Sequence, residues 1–147
     1  MTSNQQRVVV KVGSSSLTSL HGEISSKKLE KLVEQIVRLK DEGHEVLLVS
    51  SGAVAAGYRK LGFINRPDTL PEKQASASVG QGLLIEAYSK LFLSHGYIAS
   101  QILITKSDFS DEKRYNNVRN TMNVLLKRGI IPIINENDTV TVNRLKF

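Results

Sequence analysis

The chain has no cysteine, which excludes a disulfide framework, thiolate zinc sites, iron–sulfur clusters and a cysteine nucleophile, and fits a reducing cytoplasm. Its three histidines, His21, His44 and His95, are too far apart for a local ligand pair of the HExxH kind, so a metal held by this chain alone is not expected. No apolar run approaches the roughly 18–20 residues of a membrane span. The opening MTSNQQRVVV has neither a basic patch nor an apolar signal region, so a soluble, cytoplasmic protein without a membrane partner is predicted. A concentrated basic run is also missing. The net charge of +6 comes from 11 basic and 8 acidic residues in 1–73 and from 9 and 6 in 74–147. The densest cluster, Lys27, Lys28 and Lys31, sits among acids on one predicted helix. A solvated helix face is the favoured reading and a nucleic-acid partner is not expected, although small anions are.

What is present is an ordinary globular composition over 147 residues, 40% hydrophobic and 23% charged, enough for one domain with a real core. RVVVKVG is a β-branched run closed by glycine and reads as a strand. Leu29, Leu32, Val33, Ile36 and Val37 then recur at helical spacing behind candidate caps Ser25 and Ser26, with Gly43 as a stop. HEVLLVS is a second strand, running into a short small-residue helix at SSGAVAAG, and NRPDTLP is a loop by its prolines. A helix follows from Pro71 to Leu93, weakened by Gly80 and Gly82. YIASQILI is a third strand. A helix carrying Val118, Met122, Leu125 and Leu126 leads to IIPIIN as the fourth. The order βαβαβαβ, with crossovers long enough for parallel connections, predicts an α/β three-layer αβα sandwich on a mainly parallel sheet.

In such sheets ligands bind outside the carboxyl ends of the strands. Here that rim carries GSSSLTS, SSGAVAAG, TKSDFSD and NENDTVTVN, rich in Gly, Ser, Asn and Asp, whereas the opposite ends are plain turns such as EGHE. Lys11 is the most informative residue on that side. An ammonium within a covered strand is costly unless an anion meets it; a nucleotide phosphate would do so, and so would an acid of the chain or a position at the sheet edge. Gly13 permits a tight turn, and the amides from Gly13 through Ser14 to Ser16 are candidates for an anion-binding nest. The run is neither a Walker loop nor GxGxxG.

At SSGAVAAG a helix starts directly from a strand, presenting its amides and positive dipole end to the same rim. Ser51 adds a hydroxyl, and Gly52 lets a ligand approach the backbone. Ala53, Ala55 and Ala56 are better explained by close packing against the sheet. A serine hydrolase is not supported, since GxSxG is missing. In NENDTV, Asp138 suits a substrate ammonium while Asn135 and Asn137 suit a carboxylate, the polar set of an amino acid pocket; a self-satisfied Asx turn is the competing account for any one of them. Asp108 and Asp111 read as turn and cap residues, with Lys106 a weak phosphate candidate.

VVVKVGSSSLT, LLVSSGAVAAG, EKQASASVGQG and IIPIINENDTV, in this order and spacing, resemble the amino acid kinase family, and within it the kinases of the glutamate side-chain carboxylate. The likeness runs from Arg7 to Phe147. It implies ATP-dependent phosphorylation of L-glutamate, the first step of proline biosynthesis, with Mg2+ accompanying ATP and a homo-oligomer in the complete protein. It also implies that Lys11 contacts ATP phosphates, that Ser51 binds glutamate and that Asn135 and Asp138 belong to the glutamate pocket. The family pattern continues past Arg144-Leu145-Lys146-Phe147 into the half that holds adenine. Residues 1–147 are therefore expected to be the amino-terminal, substrate-side part of such a domain, with little or no activity alone. A sibling kinase of another carboxylate and an amino-acid-binding module without catalysis are the alternatives.

Overall fold

A computed structural model describes residues 4–136 and contains the expected alternation. The strands are β1 (Arg7–Val12), β2 (Glu45–Ser50), β3 (Ala99–Ile102) and β4 (Ile131–Asn135). The helices are α1 (Ser26–Asp41), α2 (Ala53–Gly57), α3 (Leu70–Ser94), α4 (Ser107–Ser110) and α5 (Glu112–Lys127). The four strands pair in parallel, in the spatial order β1-β2-β4-β3. Pro132 has no N–H to give, yet it lies inside β4. The ladder to β2 begins one residue later, at Leu48 and Ile133, so the missing donor falls outside that pairing.

Alternation along β2 and β4 divides the core in two. Val46, Leu48, Ile131 and Ile133 face Leu29, Val33 and Ile36 of α1 and Leu84, Tyr88 and Phe92 of α3. Leu47, Val49 and Ile134 face Met122 of α5, with Val118 and Phe109 alongside. The chain is thus an α/β three-layer sandwich. Local chemistry sets the helix ends. The Ser25 hydroxyl accepts from the Lys28 amide at 3.3 Å, Thr69 accepts from the Glu72 amide, and Asp111 accepts from the amides of Lys113 and Arg114 at 2.9 and 3.3 Å, each using otherwise orphaned donors. Among the described residues, no helix is long and apolar enough to cross a membrane.

The sequence leaves Lys11 either inside a covered strand or at the sheet edge; among the described residues β1 is an edge strand. Val10 and Val12 pack on the α1/α3 side, but the opposite face is open, with Val9 45% exposed and the Lys11 side chain 49% exposed. The small residues of α2 do more than pack on the sheet. Gly57 and Gly80 let the backbones of α2 and α3 touch: a Cβ on Gly57 would stand 2.5 Å from the Gly80 nitrogen, and one on Gly80 would stand 2.7 Å from the Ala53 carbonyl carbon. Gly80 is therefore a packing device rather than a weakness in the helix.

Candidate active site

Because β1, β2 and β4 are neighbours, their carboxyl ends bring three of the four rim loops together. β3 lies at the far edge and leads its loop elsewhere. In that loop, Thr105 donates its amide to Asp108 at 2.7 Å and Asp111 caps α5, so both acids are the turn and cap residues their sequence suggests. Lys106 precedes α4 on this separate loop and does not line the cleft described next.

The three convergent loops line a cleft of 450 Å³. Ser14 comes from the loop after β1, Ser51 and Gly52 from the loop after β2, and Asn135 from the end of β4. Four residues singled out in the sequence thus share one cavity. Lys11 and Gly13 line a smaller adjoining cavity of 180 Å³, and Ser51 and Glu136 are common to both. The Lys11 ammonium lies 3.8 Å from the Glu136 carboxylate. With both groups partly in water and this far apart, the pair contributes about 0–1 kcal/mol, little enough for a phosphate to displace it. Asp138 lies outside the described residues.

Backbone geometry explains how the loops meet. Ser51 donates its amide to the Val12 carbonyl at 2.9 Å and its hydroxyl to the same oxygen at 3.2 Å, tying the end of β2 to the end of β1. The Glu136 amide closes the other side on the Ser50 carbonyl at 3.0 Å. Gly52 has φ +114, and a Cβ there would stand 2.8 Å from the Cα of Ser14. Glycine is required on both counts: the left-handed backbone and the closeness of the next loop.

Two sequence expectations about anion binding are revised here. Gly13 is extended, at φ −95, so its turn needs no glycine-specific dihedral. Ser14–Ser16 form a single 3-10 turn in which the Ser16 amide donates to the Gly13 carbonyl at 3.2 Å, removing one member of the predicted nest. The second concerns α2, which is only five residues long and so has a smaller aligned dipole than a full helix.

Several residues at the site carried no signal in the sequence. Arg66, Asp68 and Lys73 line the large cleft, delivered by the α2–α3 loop and the first turns of α3. Glu136 lay within the quoted NENDTV run without a role of its own. Lys28, read as part of a solvated face, donates to the carbonyls of Ser15 and Thr18 at 2.9 and 3.0 Å and pins the 3-10 loop in place. Deeper, Ser50 and Tyr88 share a hydrogen bond of 3.2 Å. Burial pushes the Tyr88 phenol up to about 12, with the Ser50 bond acting in the lowering direction. The Asn135 Oδ1 is buried without a partner among the described residues, an acceptor that an incoming N–H or O–H would satisfy.

A parallel sheet with a serine–glycine and asparagine rim beside a strand-end lysine is the arrangement the family resemblance implies, and the amino acid kinase family model matches residues 6–146. The chain belongs to that family. Among curated relatives, it is 84% identical over 144 residues to glutamate 5-kinase 2 of Bacillus subtilis, covering 98% of this chain and 39% of that protein. It is 56% identical to glutamate 5-kinase of Oceanobacillus iheyensis, with the same coverage, and 55% identical over 141 residues to that of a Thermoanaerobacter species. The chain thus spans 38–39% of the length of these relatives.

Proposed function

We propose that the protein carrying these residues transfers the γ-phosphoryl group of ATP to the side-chain carboxylate of L-glutamate, forming γ-glutamyl phosphate as the first step of proline biosynthesis. The observation that carries this reading is the convergence of Ser14, Ser51, Gly52 and Asn135 on one cleft, with Lys11 in the adjoining cavity. Glutamate occupies the larger space, held by Ser51, Gly52, Asn135 and Asp138, while the ATP phosphates lie toward Lys11, Gly13 and Ser14. The Asn135 oxygen, buried without a partner among the described residues, suits an ammonium donor.

A carboxylate is ionised at neutral pH, so its oxygen attacks the γ-phosphorus without a general base, and the bond to the β–γ bridging oxygen breaks to release ADP. The difficulty is bringing anions together. Lys11 exchanges its weak contact with Glu136 for phosphate oxygens and offsets charge that grows during transfer. Its ammonium and the Ser14 hydroxyl suit a polyphosphate. The carboxylates of Asp68 and Glu136 suit a hard cation brought in on the nucleotide, since Mg2+ commonly takes one or two carboxylates besides phosphates. When bound, Mg2+ supplies further charge neutralisation.

Residues 1–147 form the acceptor-side part of such a kinase domain and by themselves show little or no turnover. A second reading, an amino-acid-binding unit without catalysis, rests on the same cleft, which can hold an amino acid whether or not a nucleotide follows. Trapping γ-glutamyl phosphate as the hydroxamate tests the first reading. The intact protein should give ATP-dependent product from glutamate, and Lys11→Ala should abolish it. Failure to form hydroxamate with glutamate, or formation from aspartate or N-acetylglutamate in its place, refutes the assignment. Hydroxamate formed by the 147 residues alone, above their own Lys11→Ala control, would refute the statement that they are inactive.

A further inference from the structure

Beside the acids Asp68 and Glu136, the cleft is lined by two cations that the reading above leaves unused. Arg66 and Lys73 both line it, and neither is ion-paired with a described residue. They come from a braced segment. Arg66 precedes Pro67, which restricts its backbone to extended conformations, and Pro67 is itself buried. On one side, Arg59 donates to the Ile64 carbonyl at 3.2 Å. On the other, Thr69 caps α3 by accepting from the Glu72 amide. Lys73 lies four residues before Ala77, so the two share a helical face, and both line the cleft.

Glutamate has two carboxylates, and only one of them is to react. Lys11 lines the smaller cavity and is not among the residues of the larger one, whereas Arg66 and Lys73 line the larger and not the smaller. The two cationic groups are therefore divided between two cavities that join at Ser51 and Glu136. We propose that Arg66 and Lys73 pair with the α-carboxylate of the acceptor and so determine that the side-chain carboxylate is the one presented toward Lys11. This rests on the glutamate kinase reading. It adds a selection rule: an acceptor without an α-carboxylate loses its anchor, and a planar guanidinium and an ammonium lining one cavity suit that group well.

The test is calorimetric titration of the intact protein and of its Arg66→Met, Lys73→Met and double variants with L-glutamate, with 4-aminobutyrate, which keeps the amine and the reactive carboxylate but lacks the α-carboxylate, and with ATP. Each single variant should bind glutamate roughly tenfold or more weakly, the range for a charge-assisted bond. The double variant should bind glutamate no better than 4-aminobutyrate. Binding of 4-aminobutyrate and ATP should move less than twofold, and Arg66→Lys should recover part of the loss. Far-UV circular dichroism verifies that the variants are folded; Arg66 is exposed, so its replacement leaves the core intact. A double variant that keeps the wild-type preference for glutamate over 4-aminobutyrate, or whose loss falls on ATP, overturns this inference and leaves the reaction standing. If the unsubstituted protein, with ATP present, does not bind glutamate, the reaction assignment falls and this inference falls with it.

Discussion

The contact between α2 and α3 allows one substitution to be tried at two sites with opposite expected sign. Gly80 and Gly82 both lie inside α3, where alanine is intrinsically favoured over glycine by about 1 kcal/mol. At Gly82 a Cβ would meet nothing within 4 Å, so Gly82→Ala should stabilise the protein by about 0.5–1 kcal/mol. At Gly80 the added carbon would overlap the Ala53 carbonyl oxygen and stand 2.7 and 2.9 Å from the Ala53 carbon and the Gly57 nitrogen. All three are backbone atoms, so no side chain can swing aside. The helices must part, and overpacking of this kind typically costs about 1–3 kcal/mol. With the propensity gain of about 1 kcal/mol set against it, Gly80→Ala should be destabilising by about 1 kcal/mol and by up to about 2, which lowers the melting temperature by about 2–4 °C per kcal/mol. Urea titrations followed by far-UV circular dichroism, with unchanged m-values, measure both variants. Because α2 carries Ala53 and Val54 into the cleft wall, only the Gly80 variant should also lose affinity for the amino acid. A Gly80→Ala protein at wild-type stability, or a Gly82→Ala protein as damaged as its neighbour, would refute the claim that direct backbone contact holds α2.

Gly52→Ala should cost about 1–3 kcal/mol from its left-handed backbone, and should weaken glutamate binding by displacing the Ser14 loop; binding within twofold of wild type would contradict this. Lys11→Met should reduce phosphoryl transfer on the order of 10²-fold or more; the hydroxamate assay measures it, and transfer within twofold of wild type would contradict the role given to Lys11. Tyr88 should make stability fall in alkali. Its folded pKa of about 12 exceeds the free phenol's value of about 10, so the folded state holds the proton more tightly. The contribution is complete below pH 10 and is lost as pH rises toward 12, on the order of 2–3 kcal/mol in all. Tyr97, raised to about 12 chiefly by its hydrogen bond to Asp41, acts in the same window, so the informative comparison is with Tyr88→Phe, which should show a shallower decline in urea midpoint between pH 10 and 12. Equal slopes would remove Tyr88 as the cause.

Features written in short stretches of chain were legible before any coordinates. The period of α1, its Ser25 cap, the stop at Gly43 and the alternation of strands with helices each depend on neighbours a few residues away. The serine–glycine and asparagine loops could also be assigned to one rim, because parallel connections send every strand's carboxyl end to the same side. Strand order is another matter. The apolar neighbours of Lys11 look the same in a central strand and in one with a single covered face; the order β1-β2-β4-β3 decides between them and appears in no local pattern. Gly80 was misread for a related reason, since a helix glycine shows its purpose only when the partner backbone is seen against it.

Arg66 and Lys73 show how far local reading reaches. In sequence, one is a charge in a proline-bounded loop and the other an ordinary lysine in the first turns of a helix, and each has a sufficient bland explanation as a solvated cation. Their shared position depends on α2 reversing the chain so that the start of α3 returns to the rim it has just left. That return is enforced where Gly57 and Gly80 bring the two backbones together. Hence Gly80→Ala, whose added carbon meets the backbone of Ala53 and Gly57, should weaken the preference for glutamate over 4-aminobutyrate. Gly82→Ala should preserve it. If both variants retain the preference in full, the placement of the two cations does not depend on the α2–α3 contact.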